Sequence, residues 1–216
     1  MRYAIGDVHG RSFWKQYVND LWDEFYFTGD YFDTHDSRMD FKKQYNNFAE
    51  ICAAARENSR IKLCLGNHDY HYLQGVRDQP YSGFQQKYAL RIGKVLEENM
   101  DLIGVVYVTR DRYIISHAGV TAWFLKSIGG TKPEDINRAF ERDRNVLNFN
   151  GSDIYGDDIT QSPVWVRPGS LRKDPLPGYS QIVGHTPVGS IREVELENGG
   201  KLALIDTGGA ESIYRF

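Results

Sequence analysis

The chain opens Arg2-Tyr3-Ala4-Ile5-Gly6-Asp7-Val8-His9-Gly10, a short apolar run that stops at a glycine and then presents a carboxylate and an imidazole. Arg2–Ile5 reads as a buried strand, and the layout recurs along the chain. Phe25–Thr28 leads into Gly29-Asp30, and Ile61–Leu65 into Gly66-Asn67-His68-Asp69. Tyr113–Ser116 leads into His117-Ala118-Gly119, and Gln181–Val183 into Gly184-His185-Thr186. Ligands of open α/β sheets bind beyond the carboxyl ends of strands, and glycine there lets the backbone turn sharply and approach a ligand closely. The pattern predicts that Asp7, His9, Asp30, Asn67, His117 and His185 gather at one sheet edge.

Helical periodicity fills the spaces between these runs. Phe13, Trp14, Tyr17, Val18, Leu21 and Trp22 share one face, which predicts a helix directly after the first strand. Phe41, Tyr45, Phe48, Cys52 and Ala55 predict a second helix, leading into Ile61–Leu65 and giving right-handed βαβ units. Residues 84–98 read as helical through Tyr88, Ile92 and Val95, and 102–108 with 112–116 as a hairpin around Thr109–Asp111. Helices are expected over 121–127 and 133–142, the latter with Thr131 or Lys132 near its cap and Pro133 early. From 181 onward the pattern is strand only, over 181–184, 190–196, 201–206 and 212–216, with a tight turn at Asn198-Gly199. The expected architecture is an α/β sandwich of two mixed β-sheets flanked by α-helices, forming a single domain over residues 1–216. The stretch 148–180 holds four of the seven prolines and is expected to be a long ordered loop beside the site.

Carboxylate, imidazole and amide oxygen, with no thiolate, form a ligand set suited to manganese, iron or zinc. Six such side chains exceed the need of one ion that also holds substrate and water. Two divalent ions sharing a bridging carboxylate use them well, and Asp30 is the candidate bridge because it lies between the ligand groups in chain order. A pair of ions about 3.5–4 Å apart clamps the attacking and leaving oxygens of an in-line displacement. A hydroxide between them serves as nucleophile, since metal binding draws the pKa of water down to roughly 7. His68 is the candidate general acid for the leaving group, and Asp33, three residues after Asp30, the carboxylate that orients it. Arg167, Asn67 and His68 are the candidates for phosphate contact, the guanidinium because it matches phosphate oxygens in a bidentate fork. His35 and His71 lack such context and read as surface residues. Asp69 is either a second carboxylate behind the ligands or a helix cap. Asp157-Asp158 reads as a solvated loop, and Asp206, at a strand end, is a minor candidate for a hydrogen bond near the site.

The five blocks GDVHG, GDYFD, GNHD, SHAG and GHTP resemble, in order, the signature of the calcineurin-like metallophosphoesterases. Within that superfamily the likeness is to small bacterial and phage phosphoprotein phosphatases, and Ile205-Asp206-Thr207-Gly208 adds to it. The resemblance spans residues 6 to 208 and implies a four-layer metallophosphoesterase sandwich. It implies Asp7, His9, Asp30 and His185 around one ion, and Asp30, Asn67, His117 and His185 as candidates around the other, with manganese the expected metal. The activity it implies is hydrolysis of phosphomonoesters, phosphoserine or phosphothreonine in proteins among them. The protein phosphatases usually continue their second block as aspartate, arginine, glycine, whereas Asp33 here precedes Thr34 and His35. An arginine that grips phosphate in that family is therefore missing, and Arg38 is the nearby candidate to replace it. That departure motivates an alternative, hydrolysis of dinucleoside tetraphosphates or cyclic nucleotides on the same site. A non-catalytic binding scaffold, as in a retromer subunit that resembles this fold, is disfavoured because no ligand is lost.

Composition narrows the setting. A net charge of -3 supplies no basic field for nucleic acid, and no basic stripe accompanies the aromatic residues. No run of about 18 apolar residues suggests a membrane span, and a strand at the first residues is expected to leave no signal peptide. Cys52 and Cys64 are expected as buried, reduced thiols, in keeping with a cytoplasmic location. The expected partner is a phosphorylated protein or a small phosphoester; the sequence carries no signal of oligomeric state.

Overall fold

The computed structural model describes residues 1–216 except 19–21, 79, 152, 154 and 210–211. Alternation along three short strands sorts the core into layers. β1 (Arg2–Ile5), β2 (Glu24–Phe27) and β3 (Ile61–Cys64) run parallel and in register. Phe25, Phe27 and Leu63 share a core with Phe48, Ile51 and Cys52 of the helix α1 (Phe41–Glu57). Ala4, Tyr26 and Cys64 belong to a different cluster, with Ile115, Ile182, Ala203 and Ile205 of the second sheet. Side chains two apart share a face of a strand, so the first sheet is covered by helix on one side and by sheet on the other.

α1 begins at Asp40, whose carboxylate accepts the Lys43 N–H at 2.8 Å. Asp40→Ala is expected to lower stability by about 1 kcal/mol, read as an earlier urea midpoint at unchanged slope. α2 (Asn67–Tyr70) follows β3, and α3 (Ala89–Glu97) packs Ile92, Val95 and Leu96 into the same core. β4 (Ile103–Gly104) extends the first sheet beyond β3. β5 (Val106–Val108) and β6 (Tyr113–Ser116) open the second sheet as an antiparallel pair. The helices α4 (Ala122–Ser127), α5 (Asp135–Arg142) and α6 (Pro168–Lys173) come next. β7 (Ser180–Val183), β8 (Arg192–Glu195), β9 (Lys201–Leu204) and β10 (Ile213–Arg215) complete the described strands. The sheets run β10-β1-β2-β3-β4 and β5-β6-β7-β9-β8. Leu171 of α6 packs on Val183, Leu202 and Leu204, closing the outer face of the second sheet. Two mixed sheets flanked by helices result, as expected. Among the described residues no helix is long and apolar enough to cross a membrane. Both cysteines are buried and free.

Three segments depart from the sequence reading. Where a helix is expected through Phe13, Trp14 and Tyr17, the described residues form a single 3₁₀ turn, Phe13–Gln16, in which Trp14 is buried and donates to Asn47 Oδ1 at 3.0 Å. Trp22 is 80 % exposed, and Leu21 lies outside the described residues. β2 starts at Glu24. The expected 102–108 strand is split between the two sheets at Val105. Asn137 Oδ1 accepts the N–H groups of Val105 and Val106 at 2.8 and 3.0 Å, supplying the hydrogen bonds that a ladder would have made. The 148–180 stretch is not loop throughout, because Pro168 at its first turn starts α6.

Candidate metal centre

Asp7, Asp30, Asn67, His117 and His185 follow the carboxyl ends of β1, β2, β3, β6 and β7, and all five are buried. The backbone bends hard to present them. His9, Asp30, Asp33 and His185 have φ of 46°, 54°, 57° and 62°. Left-handed backbone at a residue other than glycine costs on the order of 1–3 kcal/mol and collects at functional sites. The loops are tied to one another: His9 N–H donates to Asp30 O at 2.6 Å, His68 N–H to Asp30 Oδ1 at 3.0 Å, and His185 N–H to Asp7 Oδ2 at 3.0 Å.

Hydrogen bonding fixes the tautomer of each histidine in the cluster. His9 Nδ1 lies 2.8 Å from Phe32 O, His117 Nδ1 2.9 Å from Thr28 O, and His185 Nε2 3.1 Å from Trp165 O. A carbonyl oxygen only accepts, so each of these nitrogens carries the proton and the other offers a lone pair. Those lone pairs face other acceptors. His117 Nε2 is 2.7 Å from Asn67 Oδ1, 3.1 Å from His185 Nδ1 and 3.5 Å from Asp30 Oδ2. His185 Nδ1 is 3.1 Å from Asn67 Oδ1, and His9 Nε2 is 3.7 Å from Asp30 Oδ2. Ligand atoms of Asp7, Asp30 and His117 all lie within 4.8 Å of one another.

Charge adds to the conflict. Burial, then the charge of Asp206, pushes the Asp7 carboxyl well above its ordinary range; burial, then Asp7, does the same to Asp30. Burial drives His117 and His185 well below the ordinary imidazole value and His9 down to about 4. Two carboxylates and three neutral imidazoles thus converge with their acceptors inward. A divalent cation resolves that arrangement, and each imidazole already donates its outer N–H to a backbone carbonyl, the usual support of a metal-binding histidine. The donor set fits manganese, iron or zinc.

His68 stands next to this cluster, its ring centroid 5.6 Å from that of His9. Its Nδ1 is 3.3 Å from Asp33 Oδ2, the pairing expected from the sequence. His71, expected at the surface, is a correction. Its side chain is fully buried, and its Nε2 lies 2.8 Å from the same Asp33 oxygen. The turn of α2 places position 71 on the face of position 68, since residues three apart are neighbours on a helix. Tyr72 OH and Gln85 Nε2 donate to Asp33 Oδ1 at 2.6 and 3.1 Å. The spacing His68-x-x-His71 places the two rings on one side of the turn but does not reveal Asp33 as their shared partner, and nothing in the sequence marks Gln85.

Arg167 lies beside His185. Its Nη1 donates to His185 O and Thr186 Oγ1, each at 3.2 Å, and its Nε to Tyr155 O at 2.8 Å. Arg38 is turned away, 86 % exposed along its side chain and forked onto Asp36. Arg11 belongs to no sequence motif but reaches the centre. Its Nη2 donates to Asp7 O at 3.0 Å, and its charge acts on Asp206 and Asp7. Asp69 both caps and braces. It accepts Gly66 N–H at the start of α2 and the N–H groups of Tyr31 and Phe32, and burial lifts its carboxyl to about 7. His35 is exposed, as expected. Asp157 accepts from Ser170 N–H and Oγ at the start of α6.

A family model described as calcineurin-like phosphoesterase matches residues 3–205. No curated protein matches the chain. Among solved structures, the cold-active protein-tyrosine phosphatase of a psychrophilic Shewanella species is similar, with a TM-score of 0.59 and 16 % identity over 96 % of this chain and 71 % of that one. A point mutant of a cold-active protein tyrosine phosphatase aligns at a TM-score of 0.61 and 17 % identity, over 96 % and 71 %. A protein serine/threonine phosphatase from Saccharomyces cerevisiae aligns at 0.54 and 16 %, over 95 % and 66 %. At these identities the structures share the fold.

Proposed function

The chain belongs to the calcineurin-like phosphoesterase family and is a metal-dependent phosphoesterase, and from that premise we propose that it hydrolyses phosphomonoesters at a two-ion centre. Asp7, His9, Asp30, Asn67, His117 and His185 would hold the ions, with Asp30 shared. The observation that supports this reading is the inward-facing set of acceptors, in which His117 Nε2, His185 Nδ1 and Asn67 Oδ1 approach within 2.7–3.1 Å with no proton between them. When bound, divalent ions supply an ionised water near neutral pH and charge stabilisation at the phosphoryl oxygens.

The remaining tasks fall to side chains. Asp33 holds the Nδ1 proton of His68, so the proton delivered to the leaving oxygen is the one on Nε2. Arg167 has Nε and Nη1 committed to protein oxygens, which fixes the guanidinium and leaves Nη2 for a phosphoryl oxygen. Asn67, on the first turn of α2, shares the phosphate contact with His68.

The test is phosphate release by chelator-treated protein given manganese, iron or zinc. Release from an aryl phosphate and a phosphoserine peptide, restored by metal alone, is expected. No release from either under any of the three metals would overturn the reading. The position of Arg38, away from the centre on Asp36, favours a second reading in which a diester or diadenosine tetraphosphate is the better substrate. A higher kcat/KM on either than on the monoesters decides for it.

A further inference from the structure

Asp33 is the link between His68 and the rest of the fold, and most of what holds Asp33 is not His68. Its Oδ1 accepts from Tyr72 OH at 2.6 Å and Gln85 Nε2 at 3.1 Å, and its Oδ2 from His71 at 2.8 Å, closer than His68 at 3.3 Å. His71 Nδ1 lies 3.3 Å from Tyr81 N–H and can only accept there, so the His71 proton sits on Nε2 and points at Asp33. The His71 ring cannot turn. Tyr81 stacks on it at 5.2 Å, and Tyr72 and Phe84 meet it edge-on at 4.4 and 4.8 Å.

We propose that His71 is a positioning residue for His68, acting through Asp33: its Nε2–H pins Asp33 Oδ2 so that the remaining lone pair of that oxygen is aimed at His68 Nδ1. The proposal rests on the reading of His68 as the proton donor to the leaving group. Two physical points carry it. Three donors besides His68 hold both oxygens of the carboxylate, so it cannot rotate freely, and the His68 ring inherits that orientation. The trio also differs from the metal centre. Asp33, His68 and His71 are close enough to hold an ion, but here both imidazole edges face a carboxylate as donors and no two lone pairs oppose each other.

An activated aryl phosphate loses its leaving group without a proton, whereas an alkyl phosphate such as a phosphoserine peptide requires one. His71→Leu is therefore expected to lower the ratio of alkyl to aryl turnover by about 10–100-fold, the usual effect of removing a residue that orients a functional side chain. His71→Gln, which keeps an N–H within reach of Asp33, restores most of the ratio. In the background of His68→Ala, His71→Leu produces no further fall, since residues acting as one unit are not additive. Should His71→Leu fail to fold, Tyr72→Phe removes the donor to the other oxygen and is expected to shift the ratio in the same direction. Equal loss on both substrates, no loss on either, or loss of a bound metal equivalent from His71→Leu overturns the proposal and leaves the phosphoesterase reading standing. A wild-type protein inactive on both substrates removes that reading and the proposal together.

Discussion

Asp30→Asn is expected to abolish turnover while making the metal-free protein more stable. The substitution is nearly isosteric, and asparagine tolerates the left-handed backbone of φ 54° that position 30 adopts. Its Oδ1 keeps the His68 N–H bond of 3.0 Å, so the loop has no steric reason to move. What changes is charge. Asp7 and Asp30 are each 2 % exposed, and burial opposes ionisation of both, joined by the charge of Asp206 at Asp7 and by that of Asp7 at Asp30. Without an ion the folded state carries that repulsion and the unfolded chain does not. Removing one carboxylate therefore favours folding of the chelated protein, and each 1 kcal/mol gained raises its melting temperature by about 2–4 °C. With manganese the order reverses, because a ligand stabilises the folded state in proportion to its affinity and the variant lacks the shared ligand. Loss of groups merely supporting a metal site costs about 10–100-fold, so the loss here should exceed about 100-fold. Scanning calorimetry with chelator and with manganese measures both halves. A chelated variant that melts below wild type, or one that keeps turnover, would show that these carboxylates are not poised for a cation.

The six proposed ligands were legible because each sits within a few residues of a strand end marked by apolar run and glycine, and sheet topology places such ends together whatever the intervening chain does. The sheets were legible for the same reason: Phe25 and Phe27 against Tyr26 show the two-residue alternation directly. Residues whose role depends on a distant loop were not. His71 reads as a surface residue in the sequence because its partner, Asp33, is 38 positions away and its ring is enclosed by Tyr81 and Phe84 from a loop without periodicity. Arg11 gave no signal because its partner at Asp7 is a backbone oxygen. Apolar residues at helical spacing after β1 do not require a helix, and one of them, Trp22, is exposed to solvent and no part of the core. Val105 read as mid-strand because the side chain that replaces its ladder bonds, Asn137, comes from α5.

Gly184→Ala should cost the centre its metal while sparing most of the fold. Gly184 has an ordinary backbone, so alanine brings no conformational penalty; the effect is contact alone. A Cβ there would fall inside the van der Waals radius of Asp7 Oδ1 and 2.7 Å from Thr28 Oγ1. Asp7 has nowhere to retreat. Its carboxylate accepts His185 N–H at 3.0 and 3.1 Å and Thr28 Oγ1–H at 3.3 Å, and moving it off the methyl breaks these bonds and draws the ligand out of the cluster. Overpacking of this kind costs about 1–3 kcal/mol of stability, whereas a displacement of about 1 Å at reacting groups can cost 100-fold in rate. Turnover at limiting manganese should fall by about 100-fold or more on that scale, with fewer metal equivalents retained through gel filtration. Gly189→Ala is the control, because nothing lies within 4 Å of a Cβ at that position, and it should match wild type in both measures. If Gly184→Ala retains the wild-type metal content and rate, Asp7 is not held where the six-residue centre requires it, and the close approach of β7 to the loop after β1 serves packing alone.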